Sequence, residues 1–326
     1  MREFAFEMAL CARLESGGHL VSRQLGTSTR GRRVLDALLV EPGPEFDART
    51  RITPDRIPDA AIEADVGTGR ARYWKDCFDC HPDRARSAVE RACEVGFFER
   101  ERRSGRTYVR QTARYPDWFS RLVGIENKPD LGRPGDLETQ LRKDVSLAVV
   151  DEIVLATESY VTRAHLNRIP EAVGVWRVHG ETGAYEVVRE PTPLAASEDG
   201  IDVLEERPSR TRVRVVSAAE KARLRRRLAE RAYGKGWRVT FPDCPHVEDR
   251  PIAGVGGIPY CAREGRVVGP SNPCDCAEGE GEGGSGEAGS VAVPNVDLDA
   301  HRDEHSPWVR DPAGARREQA GLDRFS

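Results

Sequence analysis

Apolar and polar positions alternate along this chain in blocks that predict a small α/β unit interrupted once. Residues 2–15 place Phe4, Ala5, Met8, Ala9, Ala12 and Leu14 along one helical stripe, with Glu3 and Glu7 expected elsewhere on the surface, and Gly17-Gly18 ends the helix. An extended segment over 20–25 and a GTSTRG turn lead to RVLDALLV at 33–40, a buried strand with a single charge, Asp36, in its middle. The αβ rhythm resumes at 121–128 (RLVGIENK, strand), 136–149 (helix, with Leu137, Leu141, Val145 and Ala148 on one face), 152–157 (EIVLAT, strand) and 173–178 (VGVWRV, strand). The fold class expected is α/β, with a mixed sheet flanked by helices.

The stretch between the two halves has a different character. A helix over 82–95 is followed by strands at 97–102 and 106–110 around Ser104-Gly105, and the hairpin is arginine-rich. Helix then basic hairpin resembles the second half of a winged helix-turn-helix, with 58–66 and 70–78 supplying earlier helices. A wing of this kind touches phosphates; a solvated hairpin packed on the core is the plainer alternative. Downstream, 217–232 reads as a basic helix that either lies along phosphates or is a solvated, salt-bridged surface helix.

These blocks divide the chain into a discontinuous core (1–44 and 116–180), an inserted winged-helix-like domain (45–115), an extension with the basic helix (181–236), a cysteine-bearing segment (237–276) and a Gly/Glu-rich linker with a polar tail (277–326) expected to be disordered.

Composition narrows the function classes. Of 326 residues, 38% are hydrophobic and 32% charged. No apolar run approaches the roughly 20 residues that cross a bilayer, and the charged N-terminus does not fit a signal peptide, so a cytoplasmic location without membrane partners is expected. Net charge is only −4, which does not announce a nucleic-acid partner. Of 50 basic residues only five are lysine (Lys75, Lys128, Lys143, Lys221, Lys235), which singles each of them out. The composition also suggests a GC-rich, salt-adapted source.

Alternation along a strand projects Glu126 and Lys128 to one face, with Asn127 behind. Asp36, buried in an apolar strand, is costly unless paired or metal-bound. If those strands are neighbours, two carboxylates and an ammonium meet. Hard oxygen donors suit Mg²⁺ or Mn²⁺, and a lysine beside them suits phosphodiester hydrolysis. This pattern, with the Gln140 helix and the strands EIVLAT and VGVWRV, resembles the PD-(D/E)XK nuclease superfamily over 2–44 and 116–180. The resemblance implies a restriction-endonuclease-like fold in which Asp36 and Glu126 hold the metal and Lys128 assists catalysis. Some members add a glutamate from the first helix, here Glu7 or Glu3, and Gln140 matches a polar helix position near the lysine. About 70 residues separate the acid from Glu-x-Lys where the family has a short hairpin. Asp117, in Pro116-Asp117, is a rival acid in a turn-like context. The chain also resembles a family of uncharacterised haloarchaeal proteins.

The function expected is a metal-dependent nuclease acting on DNA, with a homodimer left open. The alternatives are a catalytically inactive nuclease-fold DNA-binding protein using the winged helix, and an adaptor with a metal-stapled tail. For the tail, Cys244, Cys261, Cys274 and Cys276, with His246 as a substitute, make a candidate structural Zn²⁺ site in a segment with little core. Cys77-x-x-Cys80-His81 is a single knuckle without a second pair and reads as semi-buried thiols. Cys11 and Cys93 read as small buried residues.

Overall fold

The computed structural model describes residues 3–26, 33–50, 57–133, 135–207, 209–270 and 272–278. The GTSTRG turn past Gly26 and the tail past residue 278 fall outside the described residues. In chain order the core opens with α1 (Glu3–Ser16), β1 (Leu20–Gly26) and β2 (Val34–Pro42). The insertion holds α2 (Phe46–Thr50), α3 (Asp59–Glu63), β3 (Arg72–Tyr73), a 3-10 turn at Trp74–Asp76, α4 (Pro82–Glu94), β4 (Phe98–Arg103) and β5 (Arg106–Gln111). The core resumes with β6 (Phe119–Asn127), α5 (Leu137–Leu147), β7 (Glu152–Thr157), α6 (Arg163–Leu166), β8 (Gly174–Val178) and β9 (Tyr185–Arg189). A hairpin, β10 (Gly200–Arg207) and β11 (Arg210–Val216), precedes α7 (Ala218–Lys235). Three short strands, β12 (Val247–Asp249), β13 (Pro259–Cys261) and β14 (Arg266–Val267), and a 3-10 turn at Asp275–Glu278 follow.

The main sheet is mixed, in the order β1-β2-β6-β7-β8-β9. The pairs β1–β2 and β2–β6 are antiparallel, β6–β7 and β7–β8 are parallel, and β9 turns back antiparallel to β8. Parallel neighbours need a crossover, which α5 supplies between β6 and β7. Strand β7 is covered on both faces, which explains its unbroken apolar run. Strands β2 and β6 are adjacent although residues 43–118 lie between them. The insertion leaves and returns at one point, where the Gly43 N–H donates to the Trp118 carbonyl at 2.6 Å.

Each face of the sheet has its own core. On one side Leu38, Val40 and Leu122 pack with Leu141 of α5 and with Leu228 and Tyr233 of α7, and Phe98 and Val109 of the insertion join the same cluster. On the other side Leu39, Ile125 and Val154 pack with Phe6, Met8 and Leu10 of α1, which also meet Trp237 and Ile258. Helix α1 is therefore a middle layer, with sheet below and the 237–276 segment above. A Cβ placed at Gly269 would come within 2.6 Å of the Phe4 ring. This corrects the amphipathic reading of α1: Glu7 is not on the surface but 4% exposed.

The insertion differs from expectation in its first half. The helix expected over 58–66 shortens to α3, and 70–78 forms β3 and a 3-10 turn instead of a helix. The cause is tertiary: Arg72 and Tyr73 pair with Val109 and Tyr108 of the hairpin, giving a sheet ordered β3-β5-β4. Helix α4 buries Ala85, Ala88, Val89 and Ala92, an i, i+3, i+4, i+7 stripe.

The salt-bridged expectation for the basic helix holds, but α7 is packed rather than solvated. Its arginines bind acids of the insertion and the core, which corrects the reading of them as an open basic face. Arg223 pairs with Asp65 (3.3 Å), Arg227 with Asp79 (2.7 Å), Arg231 with Glu63 (3.7 Å) and Arg225 with Asp151 (2.8 Å). Its Glu230 is fully buried against Arg49 of α2 at 2.8 Å, and the Trp118 indole N–H donates to the same carboxylate at 2.8 Å. Among the described residues, no helix is long and apolar enough to cross a membrane.

Candidate active site

The β2–β6 register pairs Ala37 with Ile125 and Leu38 with Gly124, so Asp36 and Glu126 come next in line opposite one another. The Asp36 carboxylate takes the place of a ladder bond: its Oδ2 accepts the Asn127 N–H at 2.8 Å. The β1–β2 ladder skips the Gln24–Asp36 position, and Gln24 has a φ of 51°, in the left-handed region. A non-glycine residue there is uncommon and concentrates at constrained sites. This backbone aims the Gln24 amide at two acids, donating to Glu7 Oε1 at 3.1 Å and to Asp36 Oδ1 at 3.4 Å. Glu7 also accepts from Arg23 Nε at 3.0 Å.

Glu126, 8% exposed, points to the α5 side. There Arg33, the residue before β2, donates from Nη2 to Glu126 Oε2 at 2.6 Å and to Asp144 Oδ2 at 2.8 Å. Arg33 Nε reaches both Asp144 oxygens at 3.1 Å. Lys128 follows the end of β6, its N–H bonded to the Ala156 carbonyl at 2.9 Å, rather than lying within the strand. Lys128, Gln140, Asp36, Glu126, Asp144 and Glu3 line one cleft of about 1020 Å³. Asp117 lies elsewhere. It is exposed at the far end of β6, where its main chain binds Glu45. Nine residues of extended chain separate it from Glu126, a span of about 30 Å.

Burial governs the electrostatics. Desolvation raises the Glu126 carboxyl to about 8, and the nearby Asp36 charge adds to this while Arg33 opposes it. Desolvation also raises Asp36, to about 6, against the hydrogen bond from Asn127. Asp144 is raised by burial too, with Arg33 countering. A site that resists ionised carboxylates gains from a cation. Asp36 and Glu126 supply hard oxygens of the kind Mg²⁺ or Mn²⁺ takes, and such an ion is commonly bound by one or two carboxylates and water. Among the described residues, three carboxylate oxygens do not gather within 4.8 Å of one another. The carboxylates are two facing acids with a guanidinium beside them.

Sulfur does gather. The Sγ atoms of buried Cys244, Cys274 and Cys276 lie within 4.8 Å of one another, an arrangement able to hold a metal ion. Cys261 Sγ is 3.6 Å from Cys276 Sγ. The His246 side chain is outside this group, while its carbonyl accepts from the Ala262 N–H at 2.9 Å. The Cys77-x-x-Cys80-His81 residues form no such group either: the Cys77 thiol donates to the Tyr73 carbonyl at 3.2 Å, and His81 Nδ1 caps α4. Cys11 is fully buried in the α1 core.

Gln24, Arg33 and Asp144 escaped the sequence reading. Asp144 carried a signal, since it follows Gln140 by four residues on one helix and therefore shares its face. Gln24 and Arg33 carried none, because their roles depend on a local twist and on a long reach across the sheet.

A family model described as "Family of unknown function (DUF5787)" matches residues 20–280. The chain belongs to this family. The DUF5787 match takes in Asp36, Glu126, Lys128, Asp144 and all four clustered cysteines, and leaves α1 with Glu7 outside. No curated protein and no solved structure matches the chain.

Proposed function

We propose that this protein is a metal-dependent nuclease of the PD-(D/E)XK kind, acting on DNA. The observation that carries the reading is the meeting of Asp36 and Glu126 across β2 and β6, with Lys128 on the same cleft, although residues 43–118 separate the two strands. The order α1-β1-β2-β6-α5-β7, with β2 between β1 and β6 and with β6 and β7 parallel across α5, supports a restriction-endonuclease-like core.

Asp36 and Glu126 would hold Mg²⁺ or Mn²⁺, which when bound polarises a phosphoryl oxygen and lowers the pKa of water. Lys128 contributes a compact charge and three donors that orient the attacking water and offset charge building on phosphorus. The water oxygen bonds to phosphorus as the opposite P–O bond breaks in line; the water gives up one proton to solvent and the departing oxygen takes one from solvent, so the products are an alcohol and a phosphate monoester. Gln140 lines the wall that receives the strand.

The insertion supports duplex engagement. Its β3-β5-β4 sheet and α4 fit a winged helix, and Arg84, Arg86, Arg91, Arg100, Arg102 and Arg106 stand exposed on the helix and wing. Four arginines of the helix and wing are already paired, Arg86 with Asp83, Arg91 with Glu94, Arg103 with Glu101 and Arg110 with Glu99. Arg33 bound to Glu126 favours the second reading, a nuclease-fold DNA-binding protein that does not cut. We also assign Cys244, Cys261, Cys274 and Cys276 to a structural Zn²⁺. Tetrahedral Zn–S bonds of about 2.3 Å set neighbouring sulfurs roughly 3.8 Å apart, close to the 3.6 Å between Cys261 and Cys276.

The test is incubation of the purified chain with plasmid, single-stranded and branched DNA, with Mg²⁺ or Mn²⁺, in low and high KCl. Metal-dependent cleavage supports the nuclease. Binding without cleavage in any condition selects the second reading.

A further inference from the structure

Arg33 binds two acids that line the cleft, and the proposed chemistry does not use it. It enters from the start of β2 and is held from α5: Asp144 grips Nε and Nη2 through three contacts of 2.8–3.1 Å. Glu126 receives one bond, 2.6 Å, to Oε2 alone. Among the described residues no hydrogen bond reaches Glu126 Oε1, and Glu126 lines the cleft. The geometry is therefore asymmetric. A planar fork clamped on a buried aspartate presents one N–H to one oxygen of the glutamate, and that bond fixes the carboxylate's rotation.

We propose that Arg33, anchored by Asp144, is a positioning residue for Glu126: it compensates that carboxylate's buried charge and turns its Oε1 toward the cleft and Asp36. The inference rests on the metal-dependent reading above for its purpose, but not for the pairing itself. Partners that orient a metal-binding carboxylate typically change metal affinity 10–100-fold when removed. The opposite role is a tethered cation that blocks the metal. The number of bonds to each acid argues against it, because the guanidinium is fixed on Asp144 and touches only one oxygen of Glu126.

Two measurements on the full chain test this. Mn²⁺ affinity is read by electron paramagnetic resonance of the free ion in wild type, Arg33→Met, Arg33→Lys and Asp144→Asn. Arg33→Met is expected to weaken Mn²⁺ binding by about 10–100-fold, Asp144→Asn to weaken it less, and Arg33→Lys to recover part of the loss. Tighter Mn²⁺ binding by Arg33→Met overturns the proposal in favour of a blocking cation. Separately, metal-free melting temperatures are compared for wild type, Arg33→Met, Glu126→Gln and the double variant. Removing the Glu126 charge is expected to stabilise the Arg33→Met protein more than it stabilises wild type; strictly additive effects overturn the pairing role. Should wild type bind no Mn²⁺ while this non-additivity stands, the nuclease reading fails and the Arg33–Glu126 pairing is upheld.

Discussion

Asp36 accepts a hydrogen bond from the main-chain N–H of Asn127, 2.8 Å away, and this bond joins two halves of a site that lie 91 residues apart in sequence. It fixes the acid of β2 against the strand end that carries Glu126. The chemistry proposed here depends on that one joint.

A first prediction concerns pH. Burial raises Glu126 to about 8 and Asp36 to about 6, both above the usual carboxylate range. The folded protein therefore holds more protons than the unfolded chain between about pH 4 and pH 8. The stability these groups confer is complete below their unfolded values and is lost as pH rises through the folded ones. The melting temperature should fall across that window, less steeply in Glu126→Gln, and Mn²⁺ should recover the loss at pH 8. Parallel curves for wild type and variant would count against this assignment.

A second concerns the buried pair under the insertion. Arg49 and Glu230 are both fully buried, and Trp118 donates to the same carboxylate. Arg49→Met should destabilise the protein by about 3–5 kcal/mol, because it strands a buried charge. Replacing both partners with apolar residues should cost less than the single change. Denaturant unfolding of the single and double variants measures the difference.

A third concerns the cysteines. Pure protein should contain one zinc per chain, and Cys274→Ser should lose it. Chelation should lower the melting temperature, since the segment bearing this cluster covers α1. Metal analysis that finds no stoichiometric zinc or iron would remove the site.

The elements of the core were legible because period and burial agree. EIVLAT reads as a strand and is one from Glu152 to Thr157; the expected stripe of α5 holds for Leu137 and Leu141, but its second half is Asp144 and Leu147 rather than Val145, and Ala148 is the C-cap. Asp36 and Glu126 were legible as acids in apolar strands. Their juxtaposition was not, because no local pattern states that residues 43–118 loop out and return to a single point. Glu7 was misjudged because α1 is covered on two sides by segments far apart in sequence, the sheet and the 237–276 segment, whereas a helical stripe implies only one. The arginines of α7 read as a basic face because their partners, Glu63, Asp65 and Asp79, lie in a part of the chain that was read as a separate block.

The most direct test of the central claim is the initial rate of DNA cleavage with Mg²⁺ or Mn²⁺ by wild type, Asp36→Ala, Lys128→Ala and Asp117→Ala. The site described here predicts that Asp36→Ala and Lys128→Ala each lose on the order of 10²–10³-fold, while Asp117→Ala cuts like wild type. Cleavage left unchanged by both Asp36→Ala and Lys128→Ala, or abolished by Asp117→Ala alone, would contradict it.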